Sequence, residues 1–248
     1  ESSAVEITPK SDKIWTLQDS GNPAELYALD NTGKLIQTLK IDGATNVDWE
    51  ELASDKDGNL YIGDFGNNDN ERKNLAIYMV KAKDLDKTNA AASKKITFYY
   101  PEQTEFPPAK KTDHFYDAEA FVFYKDNFYL FTKDRSGSGN TRLYKIPASE
   151  GNHAAKLLGT FPTCDGKKCR ITGADISDDG KKIALLSNNK VWILDGFKSD
   201  DFLNGKSNRI DLGSDTQLEG VCFKGNSMLY FVDERDKHTG GKLYELKL

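Results

Sequence analysis

Carboxylates recur in this chain just ahead of short apolar stretches: Asp48, Glu50 and Glu51 before Leu52-Ala53, Asp117 and Glu119 before Ala120-Phe121-Val122, Asp175 before Ile176, and Glu219 before Gly220-Val221-Cys222. Other polar groups close apolar stretches: Asp19 in Asp-Ser-Gly-Asn, Asp64 in Asp-Phe-Gly-Asn-Asn-Asp-Asn, Lys133-Asp134-Arg135, Asn188-Asn189 and Asp233-Glu234-Arg235. If the two sets meet, the carboxylates repel unless a proton, a cation or a basic side chain compensates. Pairing with Lys133, Arg135, Arg235 and Arg72 is one answer. The other is a hard cation such as Ca2+, which takes roughly six to eight oxygen ligands. The segment from Asp64 to Glu71 is its best candidate, with Asp64, Asn67 and Asp69 as ligands, although the spacing is not that of an EF-hand loop. The same acids could do catalysis: Glu119 and Glu219 are the pair to expect as acid and base in a calcium-dependent glycosidase or phosphoesterase. Trp49 is then the sugar platform nearest the acids. No Gly-x-Ser-x-Gly nucleophile motif is present.

Short strands have to position these groups. Apolar runs separated by Gly, Asn and Asp turns fill the sequence, and helical spacing is almost nowhere sustained. One pattern recurs five times: Leu26-Tyr27-Ala28-Leu29, Ile77-Tyr78-Met79-Val80, Leu143-Tyr144-Lys145-Ile146, Val191-Trp192-Ile193-Leu194 and Leu243-Tyr244-Glu245-Leu246. Its aromatic residues are 51, 66, 48 and 52 positions apart, the length of a four-stranded propeller blade with variable loops. The fold class expected is therefore all-β, a single five-bladed β-propeller over 1–248, with blades near 1–43, 44–103, 104–168, 169–213 and 214–248. A second strand precedes each marker, and a first strand of small residues precedes that. A fourth strand follows in four blades, and the last blade lacks it in this chain. Because first and second strands run antiparallel, the start of one and the end of the other share one end of the sheet. That places Asp19, Asp48, Glu50, Glu119, Lys133, Arg135, Asp175, Glu219, Asp233 and Arg235 at one channel mouth as the expected ligand-binding set, open to a small molecule.

The 248 residues carry 34 Lys and Arg against 39 Asp and Glu, a net charge of −5, without the basic tract that would follow a nucleic-acid backbone. No apolar run approaches the roughly 18 residues of a transmembrane helix. Cys164 and Cys169 frame a short polar turn that a disulfide can staple in an oxidising compartment, and the three histidines are scattered singly. Cys222, on a first strand, reads as a small buried apolar residue. The Pro101–Asp113 insertion between blades two and three is a candidate contact loop.

Leu218-Glu219-Gly220-Val221 followed by Tyr230-Phe231-Val232-Asp233-Glu234-Arg235, and Asp48-Trp49-Glu50-Glu51-Leu52 with Gly63-Asp64-Phe65-Gly66-Asn67-Asn68, resemble motifs of bacterial exported β-propellers of the SdiA-regulated type and their phytase-like and NHL-like relatives. The resemblance implies a propeller, export to the cell envelope and often a bound calcium. It carries over no catalytic residues. Similar acids in every blade suit a binding or interaction module better than an enzyme with one specialised pair. The function expected is thus a non-enzymatic envelope module, a subunit of a larger complex with a protein partner. Its expected place is periplasmic or at the outer surface, with a lipid anchor upstream of Glu1 as one arrangement.

Overall fold

The computed structural model describes residues 2–9, 11–213, 216–234 and 240–248. It is all-β, a five-bladed propeller. Blade 1 is built from Ala4–Ile7, Ile14–Leu17, Glu25–Leu29 and Leu35–Asp42, and blade 2 from Trp49–Ser54, Leu60–Asp64, Ala76–Val80 and Lys94–Tyr99. Blade 3 follows with Ala118–Tyr124, Asn127–Thr132, Asn140–Pro147 and Lys156–Pro162. Blade 4 has Ile171–Ile176, Lys182–Ser187, Lys190–Asp195 and Lys206–Asp211, and blade 5 has three strands, Leu218–Lys224, Met228–Asp233 and Leu243–Lys247. Within each blade these strands pair antiparallel in chain order.

The chain folds this way because short apolar strands, many of them buried on both faces, are punctuated by turns. At the Tyr124–Asn127 hairpin both turn residues, Lys125 and Asp126, have positive φ (47° and 59°), the geometry that matches the twist of a two-residue hairpin. The five first strands contact one another in a closed circuit, and blade 5 meets blade 1 without a shared strand. Gly220 makes that last contact possible, since a Cβ there would lie 2.8 Å from the Ala4 carbonyl carbon and from the Val5 nitrogen.

Apolar layers fill the gaps between blades. Phe65, Phe98, Phe121, Phe128 and Tyr144 pack between blades 2 and 3, and Trp15, Trp49 and Tyr78 between blades 1 and 2. The seam between blades 5 and 1 is smaller, with Val5, Ile14, Tyr230, Val232 and the free thiol of Cys222. The recurring aromatic is buried in blades 2, 3 and 4 as Tyr78, Tyr144 and Trp192, whereas Tyr244 is on the exposed edge strand of blade 5.

Two strands were not anticipated. Asn89–Ala91 adds in parallel to the outer edge of blade 1, and Gly151–Ala154 adds in parallel to blade 2, so each is contributed by the next blade along the chain. Both cover edges that would otherwise be free to pair with another chain. Blade 4 also departs from expectation: its first strand starts at Ile171, so Asp175 stands at its end rather than its start. Cys164 and Cys169 are disulfide-bonded, with Cα atoms 5.4 Å apart. No helix among the described residues is long and apolar enough to cross a membrane.

Candidate functional site

The pairing between first and second strands skips a residue at the same place in four blades: Glu50, Glu119, Thr172 and Glu219. In blade 1 it runs unbroken from Ala4 to Ile7. A β-bulge leaves its extra residue unpaired and re-aims the side chain. Here it gathers three glutamates around one lysine.

Lys133 follows the second strand of blade 3 and is anchored by its N–H, which donates to Asp117 O at 2.8 Å. Its ammonium contacts Glu119 Oε2 closely and lies 3.9 Å from Glu219 Oε2. Arg135 Nε donates to Asp117 Oδ2 at 2.6 Å and its Nη2 to Glu119 Oε1 at 3.0 Å, with a further close bond to Asn68 Oδ1. The other Asp117 oxygen accepts the Asn67 N–H at 2.8 Å. Glu219 Oε1 faces the Asn188 amide at 3.5 Å.

Asp48 and Glu50 are arranged differently. They converge over Gly66, where any Cβ would collide with Glu50 Oε1 and Asp48 Oδ2. Glu50 is 9% exposed, and its carboxyl has no hydrogen-bond donor among the described residues. Asp48, Glu50, Asp117, Glu119 and Glu219 thus share a mouth in which Lys133 and Arg135 are already committed to Glu119, Asp117 and Glu219.

Burial, then Glu119, Asp48 and Asp117, hold the Glu50 carboxyl well above its ordinary range. Burial, then Asp117, also raises Asp48. Burial pushes Glu119 up to about 8 against the pull of Lys133. Burial opposes the charge on Lys133, but Glu119, Glu219 and Glu50 outweigh it and raise its pKa. The raised Glu119 and the raised Lys133 pull in opposite senses for one contact. The close approach of Lys133, with Arg135 on the other oxygen, favours the ion pair there.

The remaining expected residues are placed as follows. Asp64 is buried and its Oδ1 accepts from the Asp48 N–H at 3.0 Å and from Arg72 Nη2 at 2.9 Å. Asn67 Oδ1 accepts the Arg72 N–H at 2.9 Å, and Asp69 is exposed. Arg72 therefore takes up two of the three groups expected around calcium. No group of three or more His, Cys, Asp or Glu able to hold a metal ion occurs among the described residues.

Asp233 is fully buried and closes its own hairpin, accepting from the Lys242 N–H at 2.7 Å and from the Tyr244 hydroxyl at 2.8 Å. The Asp19 carbonyl accepts from Asn46 Nδ2 at 2.7 Å, tying blade 1 to the approach of blade 2. Trp49 is fully buried and donates its indole N–H to Thr45 O at 3.0 Å, so it offers no face to a sugar. Arg235 lies outside the described residues, as does Glu1.

Asp175 requires correction. The blade 4 residue equivalent to Glu50, Glu119 and Glu219 is Thr172, whose hydroxyl donates to Leu218 O at 2.8 Å. Asp175 belongs to the opposite mouth, where its oxygens accept the Ile176 N–H at 2.7 Å and the Phe223 N–H at 2.6 Å. Small residues from Thr172 to Ala174 hid the true start of the strand. Glu6, also at that opposite mouth, was missed altogether. An acid inside the apolar Ala4–Ile7 strand was the signal available.

No family model matches the chain, and no curated protein matches it. Among solved structures it is similar to virginiamycin B lyase from Staphylococcus aureus, at 14% identity and a TM-score of 0.46 over 94% of this chain. It is similar to the same degree to Kuenenia stuttgartiensis hydrazine synthase, at 14% identity and a TM-score of 0.46 over 93% of this chain. The chain spans 62% and 61% of the lengths of those two chains.

Proposed function

We propose that the protein is a non-enzymatic binding module of the bacterial cell envelope, part of a larger complex, whose acidic mouth receives a basic side chain of a protein partner. The observation that carries this reading is the Asp48–Glu50 pair over Gly66, which makes no direct ion pair among the described residues while Lys133 and Arg135 pair with their neighbours. A lysine ammonium or an arginine guanidinium entering there would offset the burial and the repulsion that raise the Glu50 carboxyl above its ordinary range. Five blades hold the pair rigid, so little ordering entropy opposes docking. The envelope location and the resemblance to exported propellers rest on the motifs around Asp48 and Glu219.

Calcium is the second reading, favoured by the excess of carboxylates over bases at the same mouth. An enzyme using Glu119 and Glu219 is the weaker alternative. Glu119 is gripped on both oxygens by cations, and an acid–base pair needs one carboxyl free to exchange its proton.

The test is calorimetric titration with tetralysine peptide, with CaCl2 in parallel. Saturable heat with tetralysine, lost in Glu50→Gln, supports the partner reading. Heat with calcium alone, lost in the same variant, replaces it with the ion site. Absence of both ends it.

A further inference from the structure

The opposite mouth opens into a cavity of about 830 Å³, within the range of roughly 300–1,000 Å³ usual for small-molecule sites. It is separate from the site already described. Glu51 stands between them, reaching from blade 2 across the axis to accept the Ala174 N–H of blade 4 at 3.1 Å while its other oxygen accepts the Leu52 N–H at 3.0 Å.

The cavity walls combine two chemistries. Phe123, Tyr124 and Phe223 supply apolar and aromatic surface, and the lining carries seven carboxylates against two lysines. Neither lysine forms an ion pair with the floor acids, and Lys125 Nζ lies over the Tyr124 ring and turns outward to Ser199 Oγ at 3.3 Å. The floor holds Glu6 and Asp175, 4% and 8% exposed.

The two floor acids differ in one respect that points to a ligand. Both Asp175 oxygens already accept backbone N–H groups, whereas Glu6 Oε1 accepts the Ser54 hydroxyl at 2.8 Å, the Ile7 N–H stands beside the carboxyl, and Glu6 Oε2 has no partner within hydrogen-bond geometry. Four buried side-chain atoms are unpartnered among the described residues, and Glu6 is the one of those residues that lines this cavity. A buried carboxylate oxygen without a donor is costly, and a charged N–H donor is its best complement.

We infer that this second mouth binds a small organic amine, its ammonium on Glu6 Oε2 and its apolar body against Phe123, Tyr124 and Phe223. The one floor acceptor without a donor, itself shielded from bulk water, suits a single N–H donor. A hard divalent cation would need several oxygens at once, and the neighbouring Asp175 oxygens are occupied. Aromatic walls beside an anionic floor also favour an organic cation over a hydrated ion.

The experiment is calorimetric titration of the whole chain with phenethylamine, with 2-phenylethanol as the neutral isostere and CaCl2 as the metal control. The result expected is saturable binding of the amine, at least about tenfold weaker binding of the alcohol, and a loss of at least about tenfold in Glu6→Gln, since a charge-assisted bond is replaced by a neutral one. Asp178→Asn, an exposed rim change that leaves the floor intact, should weaken the amine by a few-fold at low salt and less at high salt. Glu50→Gln, at the other mouth, should leave amine binding unchanged. No saturable heat with the amine, equal binding of amine and alcohol, tighter binding of calcium at this mouth, or undiminished binding in a folded Glu6→Gln protein would each overturn the inference.

Discussion

Glu51 Oε2 accepts the backbone N–H of Ala174 at 3.1 Å, joining blades 2 and 4 across the channel axis. The two blades are not neighbours in the ring, so the bond spans the channel and divides it into two chemically distinct mouths. One is a crowded cluster of acids and bases around Lys133, and the other is a deeper acidic cavity floored by Glu6 and Asp175.

Lys133 is the hub of the first mouth. Replacing it in Lys133→Met leaves Glu119 and Glu219 buried near no ammonium, and breaking a buried pair in this way costs about 3–5 kcal/mol. Urea unfolding should register that loss. Adding Glu119→Gln to the same chain should recover part of it, because the stranded charge is then gone.

Stability should fall as pH rises above about 4 and keep falling through about 7. Burial holds Asp175 up to about 7 and Glu6 and Glu51 well above the ordinary carboxylate range. Over that window the folded chain binds more protons than the unfolded one, so each rise in pH favours unfolding. A single such group contributes at most about 1.4 kcal/mol per pH unit. Melting temperatures across the range check the sign, and Asp175→Asn should make the decline shallower.

Gly66→Ala probes the acid pair without removing a charge. The added methyl must displace Glu50 Oε1 and Asp48 Oδ2, both ends of flexible side chains, at a cost of about 1–3 kcal/mol. Tetralysine binding should weaken by about tenfold, equivalent to about 1.4 kcal/mol, while the melting transition stays cooperative. Unchanged affinity would place the peptide elsewhere.

The disulfide closes a ring between residues only five positions apart. Loop-closure entropy gives roughly 2 kcal/mol for so small a ring. Cys164→Ser with Cys169→Ser should lower the unfolding free energy by about that amount and leave a folded propeller.

The blade count was legible because the recurring aromatic marks the same third strand in every blade, from Tyr27 to Tyr244. Short apolar runs and turn residues then placed the strands on either side. Asn89–Ala91 and Gly151–Ala154 escaped because three or four polar and small residues carry no alternation, and their pairing depends on the neighbouring blade arriving beside them. The acids at the first mouth were legible as a set because Glu50, Glu119 and Glu219 occupy equivalent bulges. Asp175 joined them wrongly because spacing cannot reveal that blade 4 has Thr172 at its bulge. Composition in the segment Asp64 to Glu71 cannot show that Arg72 folds back onto Asp64 and Asn67.

The central claim is that Glu50 faces the mouth as an acid with no direct ion pair among the described residues, open to one from another molecule. Carboxyl-carbon NMR of Glu50 across a pH titration, with and without tetralysine, reads this at the residue itself. The account predicts a pKa well above the ordinary glutamate value of about 4.3 in the free protein, moving down when the peptide binds. A value near 4.3 in the free protein, or one that tetralysine leaves unmoved, would contradict it.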